Sequence, residues 1–334
     1  MPMKESRPGS QRRILVTGSR GKSSIVRFLH AGLQAAGLQT HARITGVVPR
    51  ELAPDGIRVI SRPAGAHVGE MRWWLRQLPA RAQAIVLENS AITAEFQALA
   101  GQWLQPDITV IANTLPDHQE LWGPTSACAA GVLVQGVPRY GRVVLPASLR
   151  NDDYLLALLN RRHCRMMFAE PAGLAGEDYR AINLGLALTT LQFHGLARAP
   201  VLQAMRDLPP DRYDFHVANC GGAKVAMAFA VNDITSTRRL FQSLAWSPDE
   251  TRLIYNHRAD RPGRLKSFIQ WLSEASWREV LIIGDKPRKS PGSSRYVRVK
   301  NRQGLLSLFE PGDRVFGCGN IAGIPLSLAA ALKR

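Results

Sequence analysis

The residues best suited to chemistry lie in a short stretch, 18–24, between an apolar β-prone run at 14–16 and an amphipathic segment. The stretch consists of Gly18, Ser19, Arg20, Gly21, Lys22, Ser23 and Ser24. A helix start has unpaired backbone N–H groups and positive partial charge, and glycines let a backbone wrap closely around phosphate oxygens. Lys22 adds a compact cation, and Ser23 adds a hydroxyl group for Mg²⁺. The pattern predicts a nucleoside triphosphate site.

The loop has the form G-x-x-G-K-S-S, which is shorter than the general P-loop pattern because position 16 is Val. The alternative is an ordinary Gly-Lys turn between a strand and a helix. The flanking strand and helix patterns favour the phosphate loop.

Two further groups of polar residues follow predicted buried strands of the same half of the chain. Glu88 ends the apolar run 84–87, and Asn113, Asp117 and His118 come after the run 108–112. The carboxyl ends of parallel strands are where α/β sheets carry functional side chains. His118 alone would more often be a surface histidine.

The elements that must position these residues alternate between strands and helices, which predicts an α/β fold with a doubly wound sheet. A strand is expected at 58–62 and another at 296–299. Trp73 and Trp74, at helical spacing, are expected to pack in a core or an interface. The paired prolines of 208–213 mark a linker, because proline breaks a helix.

The predicted domain organisation is a flexible basic tail at 1–12, an ATP-binding central domain at 13–208, a linker at 209–215 and a smaller Rossmann-like domain at 216–334. At 334 residues the chain is long enough for two such domains.

The chain carries 43 Lys and Arg against 26 Asp and Glu, a net charge of +17. Such a field attracts nucleic acid, anionic lipid or an acidic substrate. The cations are scattered and aromatic residues make up only 7%, which disfavours a dedicated nucleic-acid groove. The 4 cysteines form no C-x-x-C pair, so neither a zinc ribbon nor a redox dithiol is indicated. Residues 1–12 lack the apolar core of a signal peptide, and the apolar runs elsewhere are shorter than the ~20 residues of a membrane-spanning helix, so a cytoplasmic protein is expected.

With these residues in place, the chain resembles the Mur ligase superfamily, most closely the poly-γ-glutamate synthase ligase subunits of the PgsB/CapB type. The resemblance covers almost the whole chain through ordered blocks. These blocks are 18–24, 65–70, 88–91, 113–125, 183–187, 230–237, 256–261 and 317–323.

The resemblance implies a Mur-ligase-like P-loop domain that binds ATP and Mg²⁺, and a C-terminal domain that closes over it. By the same resemblance Lys22 contacts the β- and γ-phosphates, Ser23 ligates one Mg²⁺, and Glu88 with His118 holds a second. Asn232 and Asp233 match positions near the nucleotide ribose or the closing interface. Arg258, Asp260 and Arg261 match an N-x-R-x-D-R block that would bind a carboxylate or a phosphate; an ion-pair network at a helix start is the alternative for this block.

The family pattern changes at positions that concern the substrate. A family lysine becomes Arg43, and the family E-C-M-A becomes 88–91 of this chain, E-N-S-A. A family arginine near the linker appears as His216, with Arg212 as a candidate replacement. Arg43, Arg212 and His216 are therefore candidates for substrate binding.

The leading hypothesis is an ATP- and Mg²⁺-dependent ligase that joins a carboxylate to an amine through an acyl phosphate, acting on glutamate or another acidic amino acid or peptide. The alternatives are a basic P-loop ATPase that binds nucleic acid and a non-catalytic scaffold subunit. Other synthase subunits, a homo-oligomer and attachment to a membrane through a partner stay open as partner predictions.

Overall fold

Two units make up the chain in this computed structural model, residues 1–209 and 210–334. The structure describes residues 11–62, 66–172, 179–231, 233–274 and 276–332. Each unit is built around its own β-sheet and is described separately.

The sheet of the first unit has eight strands in the order β4-β3-β2-β5-β1-β6-β7-β8. All neighbouring pairs are parallel except those of β3, which pairs antiparallel with both β2 and β4. The strands are β1 Arg12–Thr17, β2 Thr40–Ile44, β3 Arg50–Ala53, β4 Gly56–Val59, β5 Ala84–Glu88, β6 Ile108–Ile111, β7 Arg142–Pro146 and β8 Arg165–Ala169.

Helices pack on this sheet because contact with the buried strands covers the apolar faces of the helices. In the first helix Ile25, Phe28, Leu29 and Leu33 are buried at helical spacing and belong to the largest core cluster. The helices of this unit are α1 Lys22–Ala35, α2 Gly69–Gln77, α3 Ala94–Leu104, α4 Gln119–Trp122, α5 Ser126–Leu133, α6 Asp153–Arg161, α7 Tyr179–Phe193 and α8 Arg198–Arg206.

The second unit has a six-stranded sheet in the order β13-β12-β11-β14-β10-β9, parallel except for the β9–β10 hairpin. Its strands are β9 Val217–Cys220, β10 Ala223–Met227, β11 Thr251–His257, β12 Glu279–Gly284, β13 Arg295–Tyr296 and β14 Arg314–Cys318. Its helices are α9 Ile234–Ser243, α10 Pro262–Glu274, α11 Arg302–Leu306 and α12 Ile324–Ala331. Core clusters line both faces of this sheet.

The α/β class with mainly parallel sheets is confirmed. Several local predictions were wrong. The strand expected at 58–62 lies instead at Gly56–Val59, as the second arm of a hairpin with β3, and the strand expected at 296–299 reduces to Arg295–Tyr296. Trp74 is buried as predicted, but Trp73 is 56% exposed. Helix α8 and strand β9 were not predicted.

Strand β4 is the last strand of its sheet, and all four of its residues are exposed. The side chains of Ile57 and Val59 are among the large apolar groups that face solvent. Arg58, between them, forms ion pairs with Asp55 and Glu51. No helix among the described residues has the length and apolar character needed to cross a membrane.

Candidate active site

The phosphate loop lies where three parallel strands end together. In the sheet register Val16 of β1 is opposite Glu88 of β5, and Thr17 of β1 is opposite Ile111 of β6. The segments that follow β1, β5 and β6 therefore start at the same edge of the sheet. These segments carry the phosphate loop, Glu88 and the 113–118 loop, so the structure brings the three predicted groups to one edge.

The backbone of the phosphate loop requires glycine at both of its ends. Gly18 has φ +125° and Gly21 has φ +81°, conformations that residues with a side chain rarely adopt. A Cβ atom on Gly21 would also lie 2.6 Å from Oδ1 of Asn183, which α7 places against the loop. The loop therefore depends on glycine for its positive-φ turns and for its close packing against Asn183.

Helix α1 begins at Lys22 directly after this loop, and no side chain of the described residues caps its first turn. Its N-terminal N–H groups are therefore available to an anion. The Lys22 ammonium donates to the carbonyl oxygens of Gly18, at 2.7 Å, and Ser19, at 3.2 Å. Burial lowers the pKa of Lys22, while the charges of Glu88 and Asp117 oppose that effect. The N–H groups at the start of α1 and the Lys22 ammonium, which the loop carbonyls hold in place, are together suited to binding phosphate oxygens.

The loop is also joined to the segment that follows β6. The hydroxyl group of Ser19 donates to the Leu115 carbonyl at 2.5 Å. Asn113 and Arg20 exchange two hydrogen bonds, Arg20 N to Asn113 Oδ1 at 3.2 Å and Asn113 Nδ2 to Arg20 O at 3.1 Å. The guanidinium of Arg20 forms an ion pair with Asp117 at 2.8 Å. The structure therefore uses the Ser19, Arg20 and Asn113 side chains to hold two loops together.

Glu88 is the carboxylate of the site and is only 2% exposed. Its Oε2 accepts a hydrogen bond from Ser23 Oγ at 3.0 Å and one from the backbone N–H of Thr45 at 2.9 Å. Within the described residues no cationic side chain forms an ion pair with Glu88. A buried carboxylate that has only neutral hydrogen-bond donors is suited to binding a cation.

The donor set fits Mg²⁺ in part. Carboxylate and hydroxyl oxygens are ligands that Mg²⁺ prefers, and Ser23 and Glu88 supply one of each in direct contact. Among the residues that the structure describes, no three His, Cys, Asp or Glu side chains form a group that could hold a metal ion. Mg²⁺ usually keeps several waters and binds substrate phosphates, so a site of this kind needs few protein ligands.

His118 has a left-handed backbone, with φ 44°, at the start of α4. Its Nε2 lies 3.8 Å from Oδ2 of Asp117, and its ring is tilted against Trp122 with centroids 5.4 Å apart. Burial would raise the pKa of Asp117, but the charges of Arg20 and His118 together keep it below its ordinary value. Asp117 is therefore an ionised carboxylate that can orient both Arg20 and His118.

Arg43 lies on β2 and is 2% exposed, so it does not face open solvent. Its guanidinium forms an ion pair with Glu70 at 2.5 Å, and Glu70 also binds Arg62 at 2.8 Å. Burial lowers the pKa of Arg43, an effect that Glu70 opposes. A direct substrate contact of Arg43 stays a prediction, and the structure adds Arg62 and Glu70 to its surroundings.

Sequence reasoning missed Gln97, which is buried on α3. Its Oε1 accepts hydrogen bonds from Thr17 at 3.0 Å and from Asn89 at 2.6 Å, and its Nε2 donates to Ala91 O at 2.7 Å. Gln97 thus joins the end of β1 to the segment after Glu88. No local pattern singles out a glutamine within a helix, so only the packed structure identifies it.

In the second unit Asp233 caps α9, accepting a hydrogen bond from Ser236 N at 2.7 Å. Arg258 binds Asp260 through two hydrogen bonds, of 2.9 and 2.5 Å. The hydrogen bond from Arg258 is the main cause that lowers the pKa of Asp260. The backbone N–H of Arg261 donates to Arg258 O. This block is a local ion-pair motif after β11, and its role in substrate binding stays a prediction.

The remaining candidates lie near the start of this unit. Arg212 donates to the Ala330 carbonyl at 3.2 Å, and Nδ1 of His216 lies 2.8 Å from Asp214 O. Asn232 lies outside the described residues. A nucleotide contact of Asp233 and substrate contacts of Arg212 and His216 stay predictions.

Two family profiles match this chain and divide it between them. The Mur ligase middle domain matches residues 16–195, and the C-terminal domain of poly-γ-glutamate synthase CapB matches residues 214–334.

Two curated proteins are similar to the chain over most of its length. PGA synthase CapB of Bacillus subtilis (strain 168) is 27% identical over 93% of this chain and 87% of that protein. The capsule biosynthesis protein CapB of Bacillus anthracis is 25% identical over 82% of this chain and 63% of that protein, so the match spans less than two thirds of the second relative.

Solved structures share the fold. A bifunctional folylpolyglutamate synthase/dihydrofolate synthase from Yersinia pestis, complexed with AMPPNP and Mn ion, superposes with a TM-score of 0.65 at 13% identity over 97% of this chain and 89% of that one. MurF from Acinetobacter baumannii superposes with a TM-score of 0.65 at 11% identity over 96% and 77% of the two chains.

Proposed function

The chain belongs to the Mur ligase family, and from this premise we propose that it is an ATP- and Mg²⁺-dependent ligase that joins a carboxylate to an amine and releases ADP and phosphate. The similarity to CapB proteins supports glutamate, or another acidic amino acid or peptide, as the substrate.

One observation carries the proposal, the contact between Ser23 and Glu88 at the end of the phosphate loop. The 3.0 Å hydrogen bond joins a hydroxyl group on the first turn of α1 to a buried carboxylate with no ion-pair partner among the described residues. Beside it Lys22 is held by the loop carbonyls. A phosphate cradle, a cation and a hard oxygen donor pair are the parts that phosphoryl transfer requires.

In the proposed reaction an oxygen of the substrate carboxylate attacks the γ-phosphorus of ATP, and the bond to the ADP oxygen breaks. The product of this step is an acyl phosphate. The amine nitrogen then attacks the acyl carbon, phosphate leaves, and the amine loses a proton to give the amide.

The residues of this chain have separate proposed tasks in these steps. The amides of Gly21 and the first turn of α1 would bind phosphate oxygens, and Lys22 would offset the charge that develops on the transferred group. Ser23 and Glu88 would hold Mg²⁺, with His118 at a second position. When bound, Mg²⁺ neutralises phosphate charge and orients the phosphate oxygens for in-line transfer.

In the second unit Arg258 and Arg261 are proposed to bind a substrate carboxylate or phosphate, with Asp260 orienting Arg258. Such a role requires the Arg258 guanidinium to exchange its bidentate contact with Asp260 for one with the ligand. Asp233 is proposed to lie near the nucleotide. Cytoplasmic location and association with further synthase subunits belong to the same proposal.

The first experiment measures ADP and phosphate release with a panel of amino acids in the presence of ATP and Mg²⁺. Release should depend on an acidic amino acid. Lys22→Ala should lower kcat by at least about 100-fold, because it removes a positive charge that stabilises the transition state. Lys224→Ala, a surface lysine on β10, is the matched control.

Unchanged release by Lys22→Ala would show that the assigned site is wrong. The absence of any turnover by the full chain would favour the scaffold hypothesis. Stimulation of ATP hydrolysis by polynucleotide, with no response to amino acids, would favour the nucleic-acid ATPase.

A further inference from the structure

The two ends of the sheet in the second unit differ in how their cations are paired. At the amino ends of the strands arginines lie in a network of ion pairs with acids. At the carboxyl ends of β11 and β12 most cations have no acidic partner among the described residues. The contrast lies within one sheet, so the overall basic composition does not explain it.

At the amino end the arginines are paired with acids, whereas the exposed Lys224 of β10 forms no ion pair within the described residues. Arg252 forms ion pairs with Glu279 and Asp313, both at 2.8 Å, and Arg278 pairs with Asp313 at 2.7 Å. Arg295 pairs with Glu279 at 2.7 Å, and Arg314 pairs with Glu250. Charges in this network are satisfied within the fold.

The carboxyl end carries an excess of positive charge. The segments 258–266 and 285–289 contain seven Lys and Arg but only two Asp. Within the described residues no ion pair is formed by Arg261, Lys286, Arg288 or Lys289. The side chains of Lys286, Arg288 and Lys289 are exposed.

Both acids in these segments are already used by the fold. Asp260 binds Arg258, and Asp285 Oδ2 accepts a hydrogen bond from Ala259 N at 2.7 Å. The backbone N–H of Asp285 also donates to His257 O. Because β11 and β12 are adjacent and parallel, these bonds hold the two cationic segments side by side at the end where α/β sheets bind ligands.

We propose that Arg261, Lys286, Arg288 and Lys289 form a basic rim that binds the additional carboxylates of an oligomeric acidic peptide, beyond the group that reacts. The idea that the bound peptide then reacts rests on the proposed ligase function. Binding of the peptide to the rim does not depend on that function. Three exposed cations, with the half-buried Arg261 beside them, give attraction that grows with the number of carboxylates, so the rim selects peptides over single amino acids.

The composition of the rim favours a polycarboxylate over single-stranded nucleic acid. Nucleic-acid grooves combine cations with aromatic rings on which bases stack. Neither 258–266 nor 285–289 contains Phe, Tyr or Trp. Tyr296 lies beside them, with its hydroxyl donating to Gly284 O, but the cationic segments themselves are not interleaved with rings, and this composition favours a ligand whose binding groups are carboxylates.

The test measures binding of fluorescein-labelled γ-linked octaglutamate and of labelled single glutamate to the full chain by fluorescence anisotropy, without turnover. The octamer should bind at least about 10-fold more tightly than the monomer, and its affinity should fall as salt rises. The variant K286Q/R288Q/K289Q should weaken octamer binding by about tenfold.

The control K224Q/R295Q/R314Q removes the same charge at the amino end and should change octamer affinity by less than about twofold. The charge-keeping variant K286R/K289R should bind as the native chain does, which separates charge from folding. Equal losses in the two triple variants would overturn the rim. Tighter binding of a labelled octanucleotide through Lys286, Arg288 and Lys289 would overturn it in favour of nucleic acid.

The two proposals fail in different ways. If the chain turns over glutamate but the variant K286Q/R288Q/K289Q binds the octamer as tightly as the native chain, only the proposed rim is contradicted. A chain that binds the octamer through the rim but never releases ADP supports the rim and contradicts the ligase activity.

Discussion

Gln97 shows how a residue that touches no proposed substrate can set the geometry of the site. Its side chain joins Thr17, which precedes the phosphate loop, to Asn89, which follows Glu88. Glu88 can meet Ser23 only if the ends of β1 and β5 are held in register. We infer that Gln97 is a positioning residue for the carboxylate and the loop together.

Gln97→Ala should therefore destabilise the first unit by about 1–3 kcal/mol, because it removes the partners of the Thr17 hydroxyl and the Ala91 carbonyl and leaves Asn89 Nδ2 only its longer bond to the carbonyl of residue 97. It should also raise the Mg²⁺ concentration needed for half-maximal ADP release. Urea unfolding and a Mg²⁺ titration measure the two effects.

The control is Gln102→Ala, an exposed glutamine on the same helix. A loss of stability with an unchanged Mg²⁺ requirement would show that Gln97 supports the fold without positioning Glu88.

For single residues, the sequence predicts the location of those that are placed by the local backbone. Gly18, Gly21, Lys22 and Ser23 stand in a strand-loop-helix pattern, and Glu88 ends an apolar strand, so their location was predictable. Gln97 and the contact of Glu70 with Arg43 depend on packing between segments distant along the chain. Such pairings follow from the tertiary fold and leave no mark in the spacing of nearby residues.

Helices α1 and α7 make the first unit sensitive to acid through two histidines. His30 lies on α1 and His194 follows α7, and burial is the main cause that lowers the pKa of each from 6.5 to about 4. The unfolded chain binds these protons at higher pH than the folded chain does. The stability of the unit is therefore full above about pH 6.5 and is lost as pH falls towards 4.

Protonation of each histidine should lower the free energy of unfolding by roughly 3 kcal/mol as the pH falls between those values. The double variant H30Q/H194Q should show a flatter pH profile of the urea midpoint from pH 6.5 to 4. A profile with the slope of the native chain would contradict a role for these groups.

The strands of the second unit depend on Asp313, which is 3% exposed and binds both Arg252 and Arg278. Asp313→Asn should destabilise the unit by about 1–3 kcal/mol, because it removes the charge that Arg252 and Arg278 share, while Arg252 keeps its ion pair with Glu279. Thermal unfolding of the full chain measures the change.

Glu310→Gln is the matched control, since Glu310 contacts the same Arg278 at 3.7 Å but is 72% exposed. It should change stability by less than about 1 kcal/mol. Similar losses in the two variants would show that burial does not set the strength of this network.

Most elements followed from periodicity, and the misses have physical causes. The hairpin of β3 and β4 turns at Pro54 and Asp55, and the following Gly56 completes a Pro-Asp-Gly turn signal. The prediction of a strand at 58–62 did not take this turn into account. Helix α8 carries Pro200 in its first turn, where proline is tolerated, so a proline there does not exclude a helix.

For the whole molecule, the separate cores of the two units predict two unfolding transitions. The core clusters of the first unit and those of the second share no residues. Differential scanning calorimetry of the full chain should resolve two transitions, and Asp313→Asn should lower only one of them.

Mg²⁺ with a non-hydrolysable ATP analogue should raise the other transition, because the phosphate loop belongs to the first unit. At 100 times Kd a ligand adds about 2.7 kcal/mol to the stability of the unit that binds it. A rise of only the transition that Asp313→Asn lowers would place the nucleotide on the second unit and contradict the site.

The exposed terminal strand β4 has a consequence for handling this protein. An outermost strand with exposed Ile57 and Val59 is a template for edge-to-edge association between chains. Arg58, already paired with Asp55, is the charged residue that interrupts the apolar run. Lysine at position 57 or 59 would place a gatekeeper charge on the strand, and concentrated samples of such a variant should stay monodisperse longer in light scattering.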